Sequence, residues 1–157
     1  MIVASDDDFF LVRSGRRGAT HKLLFYTLPA RGFCKVDILI PGIMNIPSVP
    51  RSRITYTRVP GVPVMPLIAV LLLKLQGWTD HRDADRQDYQ EKQHVDVEDI
   101  MEMLEIARRD YATKTLESER WMPREFVDSA VDRVGEFIES FPATSEYWYE
   151  IGFDVWT

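Results

Sequence analysis

Between Met65 and Ala107 the chain reads MPLIAVLLLKLQGWTDHRDADRQDYQEKQHVDVEDIMEMLEIA, and this stretch constrains the fold more than any other. Pro66 suits the first turn of a helix. The Leu, Ile, Val and Ala run behind it is long enough for a buried helix and too short to cross a bilayer. Lys74 interrupts the run near its end. A charged connector is expected from Thr79 to His94, and a second helix from near Asp96, where Val97, Ile100, Met101 and Leu104 recur at helical spacing. An apolar helix bearing one lysine, an arginine-bearing connector and an acidic helix start are the features that point toward a function.

The preceding third reads as strands. Phe9 to Arg13 is rich in aromatic and branched residues. Ser14-Gly15-Arg16-Arg17-Gly18 is a turn signal, and Lys22 to Leu28 makes the second strand of a β-hairpin. Gly15 and Gly18 beside two arginines do not read as a phosphate cradle, because a strand rather than a helix follows them. After a turn from Pro29 to Gly32, a third strand is expected over Phe33–Ile40, closed by Pro41-Gly42. Its alternation sets Cys34, Val36, Ile38 and Ile40 on one face and Phe33, Lys35, Asp37 and Leu39 on the other. Asp37 then sits mid-strand among apolar neighbours, where a carboxylate needs pairing, water or a metal.

Pro47, Pro50, Pro60 and Pro63 deny Ile43–Pro63 a continuous helix or central strand and leave room for a short edge strand at Arg53–Arg58. Arg108 to Trp121 is mixed, with room for a short helix. Pro123 opens a patterned helix whose stripe is Phe126, Val127, Ala130, Val131, Val134, Phe137, Ile138 and Phe141, and Pro142 closes it. The aromatic tail around Tyr147-Trp148-Tyr149 and Phe153 is expected to dock on the body, since large rings gain by burial. Strands first and helices after predict an α+β fold: a small, mostly antiparallel sheet followed by three to four helices. The 157 residues fit one domain, strand-rich over 1–60 and helical over 61–157.

The apolar fraction of 45% and charged fraction of 28% are those of a soluble globular protein. A net charge of −6 disfavours general binding to a nucleic-acid backbone. The single cysteine, Cys34, excludes an internal disulfide and fits a reducing compartment. With no signal peptide or membrane span legible, a cytoplasmic protein is expected.

Leu73-Lys74-Leu75-Gln76, Asp80-His81-Arg82, Lys92 and Val95-Asp96-Val97-Glu98-Asp99-Ile100, preceded by the strand-like Cys34-Lys35-Val36-Asp37-Ile38-Leu39, carry a resemblance. In this order they resemble the later motifs of the nucleotidyltransferase superfamily. The likeness is to the toxin-type nucleotidyltransferases of type IV toxin–antitoxin systems and to uncharacterised fungal proteins of the same fold. It covers roughly residues 9–105, and the order and spacing of short motifs carry it. The resemblance implies that Asp37 is the last sheet carboxylate, a catalytic and metal ligand. It also implies that Lys74 and Arg82 meet a nucleoside triphosphate, and that Asp96 and Asp99 order the site around them. Mg²⁺ is the implied cofactor, since oxygen ligands and phosphates make its usual shell.

Each residue also has a plain reading. Asp37 can pair with Lys35 or with an arginine across the sheet. Lys74 can snorkel from the end of a buried helix. Asp96 suits an N-cap and Asp99 the first turn, where the helix dipole favours negative charge. Arg82, His81 and Lys92 lie in mixed charge typical of a solvated segment. His81 and His94 lack metal-ligand spacing, which argues against zinc.

The superfamily's opening motifs, a Gly-Gly or Gly-Ser turn and a strand bearing an Asp-x-Asp or Asp-x-Glu pair, are missing from this sequence. That pair holds the metals that steady the attacking and leaving oxygens. Asp6-Asp7-Asp8 has the spacing but no glycine turn before it. The expectation is a truncated nucleotidyltransferase fold, inactive alone and retaining weak nucleotide binding. The alternative is a non-catalytic α+β module that contacts a protein partner through its aromatic tail and amphipathic helices.

Overall fold

A computed structural model describes residues 2–15, 18–29, 32–57, 61–111 and 116–155. Arg16, Arg17, Ala30, Arg31, Arg58, Pro60 and Trp156, which figure in the turn, strand and tail expectations, lie outside the described residues. The fold is α+β, with a three-stranded antiparallel sheet in the N-terminal third and helices after it. Contacts divide the chain into two compact units, Met1–Ile40 and Pro41–Thr157.

The first unit is an antiparallel meander in the order β1 (Phe9–Arg13), β2 (Lys22–Leu28), β3 (Gly32–Val36). Its register pairs Phe10 with Phe25 and Phe9 with Tyr26, and then Leu24 with Val36 and Tyr26 with Cys34. Period-two alternation gathers Phe10, Phe25 and Phe33 on one face, with ring centroids 5.4 to 5.9 Å apart. Phe9 and Tyr26 meet on the other face at 4.8 Å. Such cross-strand pairs are the sheet's unit of stabilisation. The third strand stops at Val36, four residues before the expected Ile40. Aspartate is disfavoured in strands, and Asp37, with its side chain 65% exposed, keeps its water by leaving the ladder.

In the second unit the chain turns at Ile43–Ile46, where the Ile46 amide donates to the Ile43 carbonyl at 3.2 Å. Both middle residues, Met44 and Asn45, are left-handed, with φ of 55° and 57°. Asparagine tolerates that region, whereas methionine is strained there. Gln76 holds the turn by donating to the Met44 carbonyl at 2.9 Å. The edge strand expected near Arg53–Arg58 is β4 (Thr55–Tyr56), paired with β5 (Pro63–Val64).

Pro66 immediately precedes α1 (Leu67–Arg82). The helix runs through Thr79–Arg82, so the charged connector is shorter than expected, and it holds the single turn α2 (Gln87–Gln90). α3 (Gln93–Tyr111) begins three residues before Asp96, with the Asp96 amide donating to Lys92 O at 3.2 Å. Asp96 is therefore inside the first turn and is not an N-cap. α4 (Arg124–Ser140) follows Pro123, and α5 (Ser145–Glu150) lies beyond Pro142. Ile68, Leu71, Leu72 and Leu75 of α1 pack with Ile100 and Leu104 of α3 and with Phe126, Val134 and Phe137 of α4. The tail docks as expected: Trp148, Ile151 and Phe153 are buried, and the Leu116 amide donates to Ile151 O at 2.8 Å. An aromatic chain, Trp78–Phe137–Trp148–Phe153, runs through this core with centroids 5.0 to 6.0 Å apart. No described helix is long and apolar enough to cross a membrane.

Candidate functional site: a shared carboxylate between two helices

Lys74 interrupts the apolar run of α1 and reaches the first two turns of α3. Its ammonium donates to Asp96 Oδ1 at 2.9 Å and lies 2.6 Å from Asp99 Oδ2. Asp96 is 5% exposed. A carboxylate that deep must be paired and hydrogen-bonded to remain charged. Its second oxygen, Oδ2, is 2.5 Å from His81 Nδ1. The same carboxylate thus meets a lysine through one oxygen and an imidazole through the other. Lys74, Trp78 and His81 are spaced i, i+4 and i+7 on one stripe of α1, which is how lysine and imidazole reach the same acid.

Partial burial pulls the Lys74 pKa down, but the hydrogen bonds from Asp99 and Asp96 outweigh it, and the net shift is upward. The lysine is therefore a fixed cation at any physiological pH. Its side chain is 33% exposed. Two of its three N–H donors are engaged by the carboxylates.

Arg82 takes another direction. It donates to Asp83 Oδ1 at 2.7 Å and to Glu136 Oε2 of α4 at 2.6 Å, and its guanidinium lies 4.7 Å from the Trp78 ring. Asp83 first and Glu136 second raise its pKa further above its ordinary value. The bond from Arg82 holds Asp83 below the usual carboxylate range.

Asp37 belongs to the N-terminal unit, one residue past β3, and accepts from Lys35 Nζ at 2.8 Å. Magnesium is usually bound by one or two carboxylates together with phosphate oxygens and water. Asp37 is ion-paired, and among the described residues no group of three or more His, Cys, Asp or Glu could hold a metal.

Of the five residues singled out from the sequence, Lys74, Asp96 and Asp99 come together, Arg82 pairs elsewhere, and Asp37 lies in the other unit. His81 was not among them. Its helical spacing from Lys74 was the one available signal, but its partner lies 15 positions away. No protein-family model, curated protein or solved structure matches the chain.

Proposed function

We propose that this chain is a nucleotidyltransferase-fold protein that holds a nucleotide's phosphates weakly at Lys74 and does not transfer nucleotides by itself. The observation that carries the reading is the clasp of Lys74 by Asp96 and Asp99. It is the lysine followed by Asp-x-x-Asp on which the resemblance rests, with the acids holding the cation in place. The lack of turnover is argued from the missing carboxylate pair. Asp6 and Asp8, the one Asp-x-Asp spacing ahead of the sheet, lie in a turn, where Asp6 Oδ1 accepts from the Asp8 amide at 3.0 Å.

The test is a melting-temperature series with each nucleoside triphosphate, with and without magnesium, because a ligand that binds only the native state raises it. A rise that vanishes in Lys74→Ala is expected, together with no transfer of radiolabel to any acceptor. Absence of a rise with every nucleotide would remove the binding reading, and magnesium-dependent label transfer would remove the claim of inactivity.

A second reading, a protein-interaction module, draws on a different feature. The tail's Trp148 and Phe153 rings are buried and offer no docking surface. The end of the first unit, by contrast, leaves Ile38, Leu39 and Ile40 exposed in succession. Grouped apolar exposure of this kind marks interaction surfaces.

A further inference from the structure

The chain's net charge of −6 is unevenly spread. From Phe9 to Val36, the span of the three-stranded sheet, there are six arginines and lysines and no Asp or Glu. A basic tract inside an acidic chain is the electrostatic footprint of a surface for an anionic polymer. Arg13 and Lys22 even stand directly opposite each other in the register, where like charges destabilise a sheet.

The same sheet exposes aromatic rings. Phe10, Phe25 and Lys35 form one cross-strand row, and Phe33 shares their face two residues before Lys35 on β3. Phe33 is 64% exposed. The Phe10 and Phe25 rings meet it at 83° and 88°, with centroids 5.9 and 5.4 Å away. A ring braced by two perpendicular neighbours loses little freedom when something stacks on it. Lys35 is paired with Asp37, but both side chains are exposed, at 47% and 65%. Exposed pairs of this kind contribute little, so a phosphate can take the place of Asp37.

We propose that the Phe10, Phe25 and Phe33 face of the sheet binds single-stranded nucleic acid, with a base stacked on Phe33 and a phosphate on Lys35. Every base has a π-face, so rings accept a single strand of any sequence while cations follow its phosphates. A duplex keeps its bases stacked inside and offers none to a ring. Charge complementarity selects the polyanion, because a purely apolar partner would bury Lys35 at a cost. Arg13 and Lys22 project from the opposite face at the hairpin end and add to the positive field that draws a polyanion in. The surface lies within Met1–Ile40 and does not involve Lys74.

The experiment is fluorescence anisotropy of labelled oligo(U) and oligo(dT), each of about twelve nucleotides, titrated with the full chain. One or both should bind, with affinity falling steeply between about 50 and 200 mM salt. A duplex of the same length should bind more weakly. Phe33→Leu keeps an apolar side chain but removes the ring, and should weaken binding at least about fivefold. Lys35→Gln should weaken it and lower the salt slope by about one. Asp37→Asn, which releases Lys35, should tighten it. Phe9→Leu, on the opposite face, and Lys74→Ala should leave it unchanged. In the wild type, oligo(U) or oligo(dT) should move the Phe33 ring resonances upfield, a reading of stacking that needs no variant.

Failure of both oligonucleotides to bind would overturn the proposal, as would binding that Phe33→Leu leaves unchanged. Equal losses in Phe9→Leu and Phe33→Leu would overturn the choice of face, and a duplex bound as tightly as a single strand would overturn stacking. Vesicles containing phosphatidylserine are titrated in parallel; their binding without oligonucleotide binding would assign the surface to a membrane and overturn the proposal. None of these failures touches the reading of Lys74, which the nucleotide melting series tests by itself.

Discussion

Among the described residues of β1, β2 and β3 none is buried, whereas α1 alone buries Ile68, Ala69, Leu71, Leu72, Leu75 and Trp78. Both regions are rich in apolar side chains, so composition does not separate them. Geometry does. A strand spreads its apolar residues over two faces, and a three-stranded sheet needs a packed face to be stable by itself. Helix α1 turns its residues toward neighbours on several sides at once. The sheet is therefore held by ring pairs and ladder bonds, with Phe33 still 64% exposed, and the helices by burial. The polar cluster at Lys74 belongs to the second kind of region, where a charge can be held in a fixed place.

The widest gap between the two regions should appear in the core. Phe137→Ala removes a ring shared by Trp78 and Trp148 and should cost about 3–5 kcal/mol in denaturant melts. A loss below about 1 kcal/mol would break the contrast. Next comes Asp96→Ala. Breaking a buried pair costs about 3–5 kcal/mol, and the one-third exposure of Lys74 reduces this to about 2 kcal/mol. Removing the exposed partner instead, as in Asp99→Ala, should cost well under about 1 kcal/mol. Equal losses from the two would show that burial of Asp96 is not what matters.

In the sheet, Phe25→Ala deletes the middle ring of three and should cost roughly 1 kcal/mol beyond the area it exposes. Amide exchange should also be faster in β1–β3 than in α1, and slower exchange in the sheet would reverse the comparison.

The smallest effect is electrostatic. Arg82 depresses the Asp83 pKa in the folded chain, so the pair's contribution is present above the unfolded aspartate value and is lost as pH falls through the lower folded one. Asp83→Asn should lower the unfolding free energy at pH 7 by less than about 1 kcal/mol because Asp83 is exposed, and the difference should vanish in acid. A difference that persists in acid would assign it to packing.

Where the chain marks its own boundaries, they were readable. Pro66, Pro123 and Pro142 place three helix ends within a residue or two, because proline acts through local geometry. The stripe from Phe126 to Phe137 is readable for the same reason, since period 3.6 survives without knowledge of neighbours. Gln93–Val95 were not legible as helix because they carry no apolar period; their place in α3 comes from the turn beneath them. α2 is one turn long and leaves no periodic trace. β3 is shorter than expected because Ile38–Ile40 look like strand in isolation, whereas the ladder ends at Val36, just before the exposed Asp37. In the site, Lys74, Asp96 and Asp99 could be named from motif order. The division of Asp96 between Lys74 and His81 could not, because it depends on the side-by-side packing of α1 and α3.

The aromatic chain through the helical core has an optical consequence. All four tryptophans, at positions 78, 121, 148 and 156, follow residue 40, and none lies in the sheet. Trp78 and Trp148 sit among phenylalanine rings out of contact with water, so their emission should be blue-shifted and should redden sharply when that core opens. Emission from Trp78 and Trp148 is thus a reporter of the helical core. Loosening of the strands would be followed by far-ultraviolet dichroism.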